Sequence, residues 1–259
     1  MNSPEPVEEL LSPTAPGHPA DSAVVVDLAQ VSPSAPGPRP SPAVLAAVAA
    51  GGGLCFLVLT VWVDRHAGLP AIDSSVHSWV LEHRTGTSLT LARAVTWGGV
   101  TTVVLPALVA VGAIARTGGR DLRRRLGSGM LLAGVASVGV YLGLRVNAWV
   151  GRARPSVADW AGTAGGPSFP SGHTTAATLF AASCAWAIGA RLAAGWPRRA
   201  VWIGAAAYAG LVGWSRVWLG VHWPTDVIGG WLYGLTWFSG SSALILATRN
   251  RANRPRRSQ

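Results

Sequence analysis

The sequence predicts an all-α fold: a polytopic membrane protein with six transmembrane helices in a helical bundle. Of its 259 residues 49% are hydrophobic and only 12% are charged, whereas a typical soluble domain has about 25% charged residues. Six stretches are long and apolar enough, or nearly so, for the roughly 20 residues that a membrane-spanning helix needs. Arginines gather on alternate connections between these stretches. Apolarity, segment length and charge placement therefore indicate the same fold class.

The six stretches follow a segment of different composition. Residues 1–42 are rich in proline, serine, alanine and glutamate, so they bury too little apolar surface to offset the entropy lost on ordering. We expect a disordered tail there, a transmembrane domain over residues 43–247, and a basic tail over residues 248–259. The predicted spans cover about residues 43–63, 94–115, 127–146, 174–192, 199–219 and 225–247.

The arginines predict how the bundle is oriented. No lysine occurs, and thirteen of the 21 arginines fall in the second-to-third loop, the fourth-to-fifth loop and the C-terminal tail. With six spans, these three segments share a membrane face with both termini. Because loops rich in positive charge stay in the cytoplasm, we expect both termini and both tails on the cytoplasmic side of a plasma membrane. The arginine-only, alanine-rich composition is typical of a GC-rich bacterial genome. The thirteen are Arg116, Arg120, Arg123, Arg124, Arg125, Arg191, Arg198, Arg199, Arg249, Arg251, Arg254, Arg256 and Arg257.

Neither charge nor cysteine content indicates another class of protein. The net charge of +10 does not predict nucleic-acid binding, because that function needs a basic face on a soluble domain. The two cysteines, Cys55 and Cys184, lie inside apolar stretches and form no disulfide framework or CxxC site. We therefore expect the bilayer, and no nucleic acid, as the partner of this chain.

Three short polar clusters interrupt the apolar background. The first, residues 151–155 (Gly-Arg-Ala-Arg-Pro), follows the third span, and the second, residues 170–173 (Pro-Ser-Gly-His), opens the fourth. The third comprises Ser215-Arg216, His222 and Asp226 between the fifth and sixth spans. The predicted topology puts all three at the outer membrane face. Together they supply fixed positive charge, a helix-opening Ser-Gly pair, two imidazoles and a carboxylate, a set suited to binding a phosphate and attacking its phosphorus.

Four residues are candidates for phosphate binding on their chemistry alone. Arg154 and Arg216 carry planar guanidinium groups that can bind phosphate oxygens in a bidentate manner. Ser171 and Gly172 stand where the fourth span begins, and the free N–H groups of a helix N-terminus form an anion site. Arg152 has two possible roles, support of the other side chains or contact with a lipid headgroup.

The third cluster also contains a candidate nucleophile. His222 and Asp226 are four residues apart, so on a helix they would share a face. A carboxylate there can hold one ring nitrogen as the N–H donor and leave the other nitrogen available for attack.

In order and spacing, the clusters resemble the motifs of the type-2 phosphatidic acid phosphatase family: Lys-x6-Arg-Pro, Pro-Ser-Gly-His and Ser-Arg-x5-His-x3-Asp. The resemblance covers about residues 43–247, and the third motif is its most specific part. It implies a metal-independent, cofactor-free phosphatase that hydrolyses a lipid phosphate or polyprenyl diphosphate at the outer membrane face. It also implies that His222 forms a phosphohistidine intermediate, that Asp226 orients His222, and that His173 protonates the leaving group.

The chain departs from the first motif at one position. Asn147 stands where the family has a lysine that contacts the phosphate. An asparagine can donate a hydrogen bond but brings no charge, and the loss of one such donor lowers a rate by up to about 100-fold. Either the site has one charge fewer, with Asn147 as a neutral phosphate ligand, or Arg145 supplies that charge. Two residues along a helix point in nearly opposite directions, which favours the first alternative.

Two other classes of function use the same residues. His173, His222 and Asp226 could form a two-histidine, one-carboxylate iron site, or a vanadate site like that of the haloperoxidases that share these motifs. The positive charges of Arg154 and Arg216 would repel an iron cation, and the six predicted spans argue against the haloperoxidases, which resemble soluble helical bundles. We therefore predict no metal site. The third class is a non-catalytic protein that binds or transports lipid phosphates, which the neutral Asn147 favours.

Overall fold

The structure is a computed structural model, and it describes residues 40–65, 70–115 and 121–253. Within these ranges it contains helices and no strands, which confirms the prediction of an all-α fold. The predicted N-terminal tail lies almost wholly outside the described residues, as does the end of the C-terminal one. In chain order the α-helices are α1 (Pro42–Arg65), α2 (Ala71–His83), α3 (Gly86–Thr96), α4 (Thr101–Ala115), α5 (Leu122–Val150), α6 (Gly172–Gly189), α7 (Trp196–Trp218) and α8 (Pro224–Ala252).

Each predicted span corresponds to helix in the structure. Helices α1 and α5 are by themselves long and apolar enough to cross a membrane. Helices α3 and α4, bent by 54° at the short turn Trp97–Gly99, together make a third candidate span. Helices α6 to α8 correspond to the remaining three stretches. Because they contain many glycine, serine, threonine and tryptophan residues, their mean hydropathy is too low for them to count as candidate spans by length and composition alone. Helix α2 lies between the first and second predicted spans, where the sequence predicted no helix.

The helices that carry the polar clusters begin and end at defined caps. Helix α5 ends at Gly151, whose φ of 65° is in the left-handed region that favours glycine. Helix α6 begins after Ser171, whose side chain accepts a hydrogen bond from the Thr174 amide. Helix α8 begins with Pro224 in its first turn, where proline needs no amide partner. These caps put all three clusters at helix ends.

Helix α6 is the centre of the bundle and packs against α4, α5, α7 and α8. Its buried face consists largely of alanine and threonine, which lets neighbouring helices approach closely. At Gly230 of α8, an added Cβ would lie 2.8 Å from the Thr174 Cβ. The Ser171 amide donates to the Asp226 carbonyl at 3.0 Å. This close packing brings the start of α6 beside the start of α8.

The loop between α5 and α6 is fixed by contacts with α2 and with residues that follow α2 and α7. The Ala161 amide donates to the Leu219 carbonyl at 2.9 Å. On α2, His77 Nε2 lies 3.1 Å from Asp159 Oδ2, and the following Arg84 donates to the Asp159 carbonyl at 2.6 Å. The loop therefore has a defined path over the end of the bundle where α5 ends and α6 begins.

Candidate active site

The three polar clusters meet at one end of the bundle, around the imidazole of His222. This side chain lies in the turn between α7 and α8 and is only 2% exposed. Its Nδ1 lies 3.2 Å from Asp226 Oδ2, and its Nε2 lies 2.9 Å from an Arg154 nitrogen. A carboxylate on one nitrogen and a cation on the other fix Nδ1 as the donor and Nε2 as the acceptor. The lone pair of Nε2 therefore points towards Arg154.

The pairing of His222 with Asp226 arises from a helix cap rather than from a shared helix face. We expected both residues on one helix, but His222 precedes α8, which begins at Pro224. Asp226 Oδ2 also accepts a hydrogen bond from the Trp223 amide at 2.8 Å, as an acidic residue in the first helical turn commonly does. The carboxylate thus caps its own helix and holds the imidazole at the same time.

Burial sets the protonation of His222. It lowers the pKa of this imidazole to about 4, although the hydrogen bond and charge of Asp226 act in the opposite direction. The positive charges of Arg154 and Arg216 add to the lowering. His222 is therefore neutral at pH 7, the form in which a ring nitrogen can act as a nucleophile.

Arg154 connects His222 to the loop before α6. Its guanidinium donates to His222 Nε2 and to four backbone carbonyls, so each of its N–H groups has an acceptor. Burial lowers the pKa of Arg154, and the charge of Asp226 opposes that effect. The predicted phosphate ligand is thus in contact with the predicted nucleophile. The four carbonyls, at 2.8 to 3.0 Å, belong to Gly165, Gly166, Pro167 and Val221.

Arg216 approaches from the last turn of α7 and is 3% exposed. It donates to Thr96 Oγ1 at 2.8 Å and to the Thr163 carbonyl at 3.0 Å. Its buried Nε has no hydrogen-bond partner among the described residues. A buried cation with an unused donor is suited to an anionic ligand.

The start of α6 leaves space beside the site. Ser171 caps the helix and also accepts a hydrogen bond from the Thr174 hydroxyl at 3.0 Å. A Cβ added at Gly172 would meet no atom within 4 Å, so the backbone there is open to a ligand. The backbone of His173 packs against Gly99 of the bent turn, where a Cβ would lie 2.7 Å from the His173 carbonyl oxygen. This contact fixes the position of His173 in the first turn of α6.

Asn147 contacts the backbone of the loop before α6, and it brings no charge to the site. Its side-chain amide donates to the Pro167 and Pro170 carbonyls at 3.0 and 3.3 Å, so it holds the loop that leads into α6. Helix α5 continues unbroken to Val150, and Arg145 is exposed on it. The geometry that would let Arg145 replace the missing lysine, an end or bend of the helix before it, is therefore not observed.

The sequence analysis missed Asp73, and it left the role of Arg152 open. Arg152 donates to Asp226 Oδ1 and to Asp73 Oδ2, both at 2.6 Å. Arg152 therefore supports the other side chains of the site, one of the two roles considered for it. The sequence signal that could have identified Asp73 was a single acidic residue in the apolar run that begins α2.

The alternative of an iron site has no matching geometry. Among the described residues, no group of three histidine, cysteine, aspartate or glutamate side chains is arranged to hold a metal ion. His173 lies beside Arg216 and Arg154, whose charges act on it, and it forms no such group with His222 and Asp226.

Comparison with known proteins identifies the same family as the motifs do. Residues 125–250 match the family model described as the PAP2 superfamily. The chain is 30% identical over 194 residues to phosphatidylglycerophosphatase B of Bacillus subtilis, a match that covers 71% of this chain and 88% of that protein. It is also 42% identical over 86 residues to an undecaprenyl-diphosphatase of Sulfolobus acidocaldarius, but it spans only 34% of that protein's length.

Solved structures have the same fold. The crystal structure of a transmembrane PAP2-type phosphatidylglycerolphosphate phosphatase from Bacillus subtilis matches with a TM-score of 0.66 and 25% identity, over 81% of this chain and 98% of that one. The Aquifex aeolicus LpxE structure matches with a TM-score of 0.52 and 20% identity, over 68% and 96% of the two chains, which is a likeness of fold alone. The motifs, the fold and the long match to a Bacillus relative agree that the chain belongs to the PAP2 superfamily of membrane lipid phosphatases.

Proposed function

We propose that this phosphatase hydrolyses a lipid phosphate or diphosphate through a phosphohistidine formed on His222. The observation that carries the proposal is the imidazole held between Asp226 Oδ2 at Nδ1 and Arg154 at Nε2. A neutral ring with a fixed Nδ1 proton presents the Nε2 lone pair to an electrophile. During attack, the oxygens of the phosphoryl group would lie beside the Arg154 cation that contacts Nε2.

The first step forms a bond between Nε2 and phosphorus. His222 attacks, the bond from phosphorus to the lipid oxygen breaks, and His173 donates a proton to that oxygen. The negative charge of the bound phosphate favours the protonated form of His173 that this step requires. The products are a phosphohistidine and a lipid alcohol, or a lipid monophosphate when the substrate is a diphosphate. When the substrate binds, Arg154 exchanges its hydrogen bond to His222 Nε2 for the phosphoryl oxygens, which frees the lone pair for attack. Together with Arg216 and the amides at the start of α6, it stabilises the charge that develops on those oxygens.

The second step restores the enzyme. A water molecule attacks phosphorus, the bond to Nε2 breaks, and His173 accepts the proton that this water loses. Inorganic phosphate leaves, and both histidines return to their starting protonation. Asp226 keeps its contact with Nδ1 throughout and offsets the positive charge that the ring carries in the intermediate.

An apolar groove beside the site supports a lipid as the substrate. It has a volume of about 200 Å³ and lies between α3 and α7. Ser215, which lines it, directly precedes Arg216, so a hydrocarbon chain in the groove would begin next to the phosphate-binding cation. The remaining lining residues are Ser88, Leu91, Ala92, Val95, Leu211, Trp214 and Trp218.

The names of the relatives narrow the class of substrate. They are a phosphatidylglycerophosphatase, undecaprenyl-diphosphatases, lipid A 1-phosphatases and a decaprenylphosphoryl-5-phosphoribose phosphatase. A phosphate or diphosphate on a membrane lipid is common to these names. We extend that class to this chain.

We also propose that the reaction takes place outside the cytoplasm. The site lies where α5 and α7 end and α6 and α8 begin. At the opposite end of the bundle, Arg125 donates to the Ala113 carbonyl at 3.0 Å, and Arg191 donates to the Ile114 carbonyl. Since arginine-rich ends remain in the cytoplasm, the catalytic end belongs on the outer side.

A non-catalytic lipid-phosphate binding or transport protein is the second candidate, which the neutral Asn147 favours. Release of inorganic phosphate from a panel of phosphorylated lipids, by purified protein in vesicles with chelator present, separates the two. We expect release that chelator leaves unchanged and that His222→Ala abolishes. Binding of the same lipids without release would favour the second candidate. Activity that chelator removes and a divalent ion restores would contradict the metal-independent mechanism.

A further inference from the structure

We propose that Asp73 and Arg152 are positioning residues that orient Asp226 and, through it, control the proton affinity of His222. The inference rests on the proposed function, because it assigns a role in that reaction. Arg152 stands at an unspecified position of the first family motif, and Asp73 lies outside all three motifs, in the first predicted outer loop. The contacts that follow carry the inference.

Arg152 is shared between two buried carboxylates. Its NH1 donates to Asp226 Oδ1 at 2.6 Å and to Thr225 Oγ1 at 2.7 Å, while its NH2 donates to Asp73 Oδ2 at 2.6 Å. The Arg152 side chain is 10% exposed and both carboxylate side chains are 0% exposed. A lysine could not bridge the two acids in this way, because an ammonium lacks the planar fork of a guanidinium.

Asp73 fixes the start of α8. Its Oδ1 accepts the Thr225 amide at 2.9 Å, and its Oδ2 accepts the Thr225 hydroxyl at 2.6 Å. Thr225 directly precedes Asp226, so an acid on α2 determines where the first turn of α8 lies. Removal of one partner would leave a buried charge without compensation, which is strongly destabilising.

The network divides the two oxygens of Asp226 between different tasks. Oδ1 accepts from Arg152 at 2.6 Å and from the Ser168 hydroxyl at 3.3 Å. Oδ2 accepts from the Trp223 amide and faces His222 Nδ1. With Oδ1 held by Arg152, the carboxylate cannot rotate away from the imidazole. Arg152 thus orients His222 without touching it.

The network also sets the charge behind His222. Four charged or titratable groups face the imidazole from the elements packed around it: Arg154, Arg216, His173 and Asp226. Behind Asp226, the positive charge of Arg152 weakens the attraction of that carboxylate for a proton on His222. The negative charge of Asp73 partly cancels the effect of Arg152. The Trp223 amide still holds Asp226 Oδ2 towards His222 when Arg152 is lost, so the change in charge determines the sign. Loss of Arg152 should therefore raise the proton affinity of His222, and loss of Asp73 should lower it.

The test uses the full-length protein and variants that remove charge. Arg152→Gln, Asp73→Asn and their double variant are compared by the pH dependence of the ring-nitrogen chemical shifts of His222 in protein labelled with heavy nitrogen, assigned by their absence from His222→Ala. We expect the midpoint to move up by about one pH unit in Arg152→Gln and down in Asp73→Asn. The double variant should return towards wild type, and kcat should fall in all three.

Two further variants keep the experiment decisive. Arg93→Gln removes an exposed arginine from the same end of the bundle and should leave the midpoint unchanged. Arg152→Lys keeps the charge but not the fork, so it should lower kcat and leave the midpoint near wild type. If Asp73→Asn does not fold, the contrast between Gln and Lys at position 152 still decides. Equal midpoints for those two variants, or shifts of one sign at positions 73 and 152, would overturn the inference.

The titration of His222 also separates this inference from the proposed function. It reports proton binding by His222 whether or not the protein releases phosphate. Opposite midpoint shifts without any turnover would support the network and contradict the phosphatase mechanism. Normal phosphate release without those shifts would support the mechanism and remove the role assigned to Asp73 and Arg152.

Discussion

Arg154 donates a hydrogen bond to His222 Nε2 at 2.9 Å, on the side of the imidazole opposite Asp226. The contact joins the first and third polar clusters, which are 68 residues apart in sequence. It assigns the Nδ1 proton to the Asp226 side and the Nε2 lone pair to the Arg154 side. This assignment supports the nucleophilic role that we propose for His222, which can be tested against the acid role proposed for His173.

Alanine substitutions should distinguish the nucleophile from the acid. His222→Ala removes the atom that bonds to phosphorus, so we expect no turnover and no phosphoenzyme with any substrate. His173→Ala removes only the proton donor, so it should recover part of its rate when the leaving group, such as p-nitrophenolate, needs no proton. Phosphate release and trapping of labelled phosphoenzyme measure both effects. Equal losses on the activated substrate would mean that the two roles are wrongly assigned.

The protonation of His222 should follow a low pKa. Burial lowers this pKa to about 4, from an ordinary value of about 6.5. The ring is then neutral and reactive above about pH 4, and it loses reactivity as pH falls through that value. In wild-type protein, the ring-nitrogen chemical shifts of His222 should therefore still be those of a neutral imidazole at pH 5.5, where an ordinary histidine is mostly protonated. A midpoint near 6.5 would contradict the burial and charge arrangement described for the site.

The turn that leads to His222 should not tolerate a side chain at Gly220. This residue has φ of 70°, and a Cβ there would lie 2.5 Å from the Asp159 carbonyl oxygen. A non-glycine residue in the left-handed region costs about 1–2 kcal/mol, and the clash adds to that. We expect Gly220→Ala to lower the thermal unfolding midpoint in detergent and to reduce activity.

Gly204→Ala is the matched control for Gly220→Ala. Gly204 is exposed on α7, and a Cβ there would meet no atom within 4 Å. Alanine favours helix over glycine by about 1 kcal/mol, so this variant should be as stable as wild type or more so. Equal stability of the two variants would show that the turn accommodates a side chain.

The orientation can be checked with single cysteines introduced after Cys55 and Cys184 are replaced. We expect position 163, in the loop between α5 and α6, to react with an impermeant thiol reagent in intact cells. Position 119, in the arginine-rich second-to-third loop, should react only after the membrane is permeabilised. Labelling at 119 together with protection at 163 would reverse the topology and put the active site in the cytoplasm.

Much of the fold could be predicted from local sequence, because span length and apolarity are local properties. The predicted span 127–146 was shorter than α5 because the helix continues through polar residues to its caps at Asp121 and Gly151. The predicted span 94–115 missed the bend at Trp97–Gly99. Packing requires a glycine in this turn, since a Cβ at Gly98 would lie 2.7 Å from the Tyr208 hydroxyl, and a local pattern does not reveal such a contact.

The site was predictable where chemistry lies in short motifs and not where it depends on distant contacts. The motifs indicated His222, Asp226 and Arg154, which the fold brings together. They did not indicate Asp73, because its partner Thr225 is 152 residues away. They also could not show that Asn147 donates to loop carbonyls, since that depends on the path of the loop before α6.

The missing charge at Asn147 leads to the last prediction. A lysine at this end of α5 can extend past the Pro167 and Pro170 carbonyls, which now accept from the Asn147 amide, towards the phosphate. We therefore expect Asn147→Lys to raise turnover on a lipid monophosphate, by at most about the 100-fold that one transition-state donor contributes.

Variants at position 145 separate that prediction from its competitor. Arg145 is exposed on a continuous helix, so Arg145→Ala should leave turnover nearly unchanged, and the double variant Arg145→Ala/Asn147→Lys should behave like Asn147→Lys alone. Asn147→Ala, which removes the contacts with the loop and adds no charge, should lower activity. Steady-state kinetics on these variants give the coupling between the two positions. If Arg145→Ala abolishes activity while folding and membrane insertion stay normal, and Asn147→Lys is neutral or harmful, then Arg145 already supplies the charge.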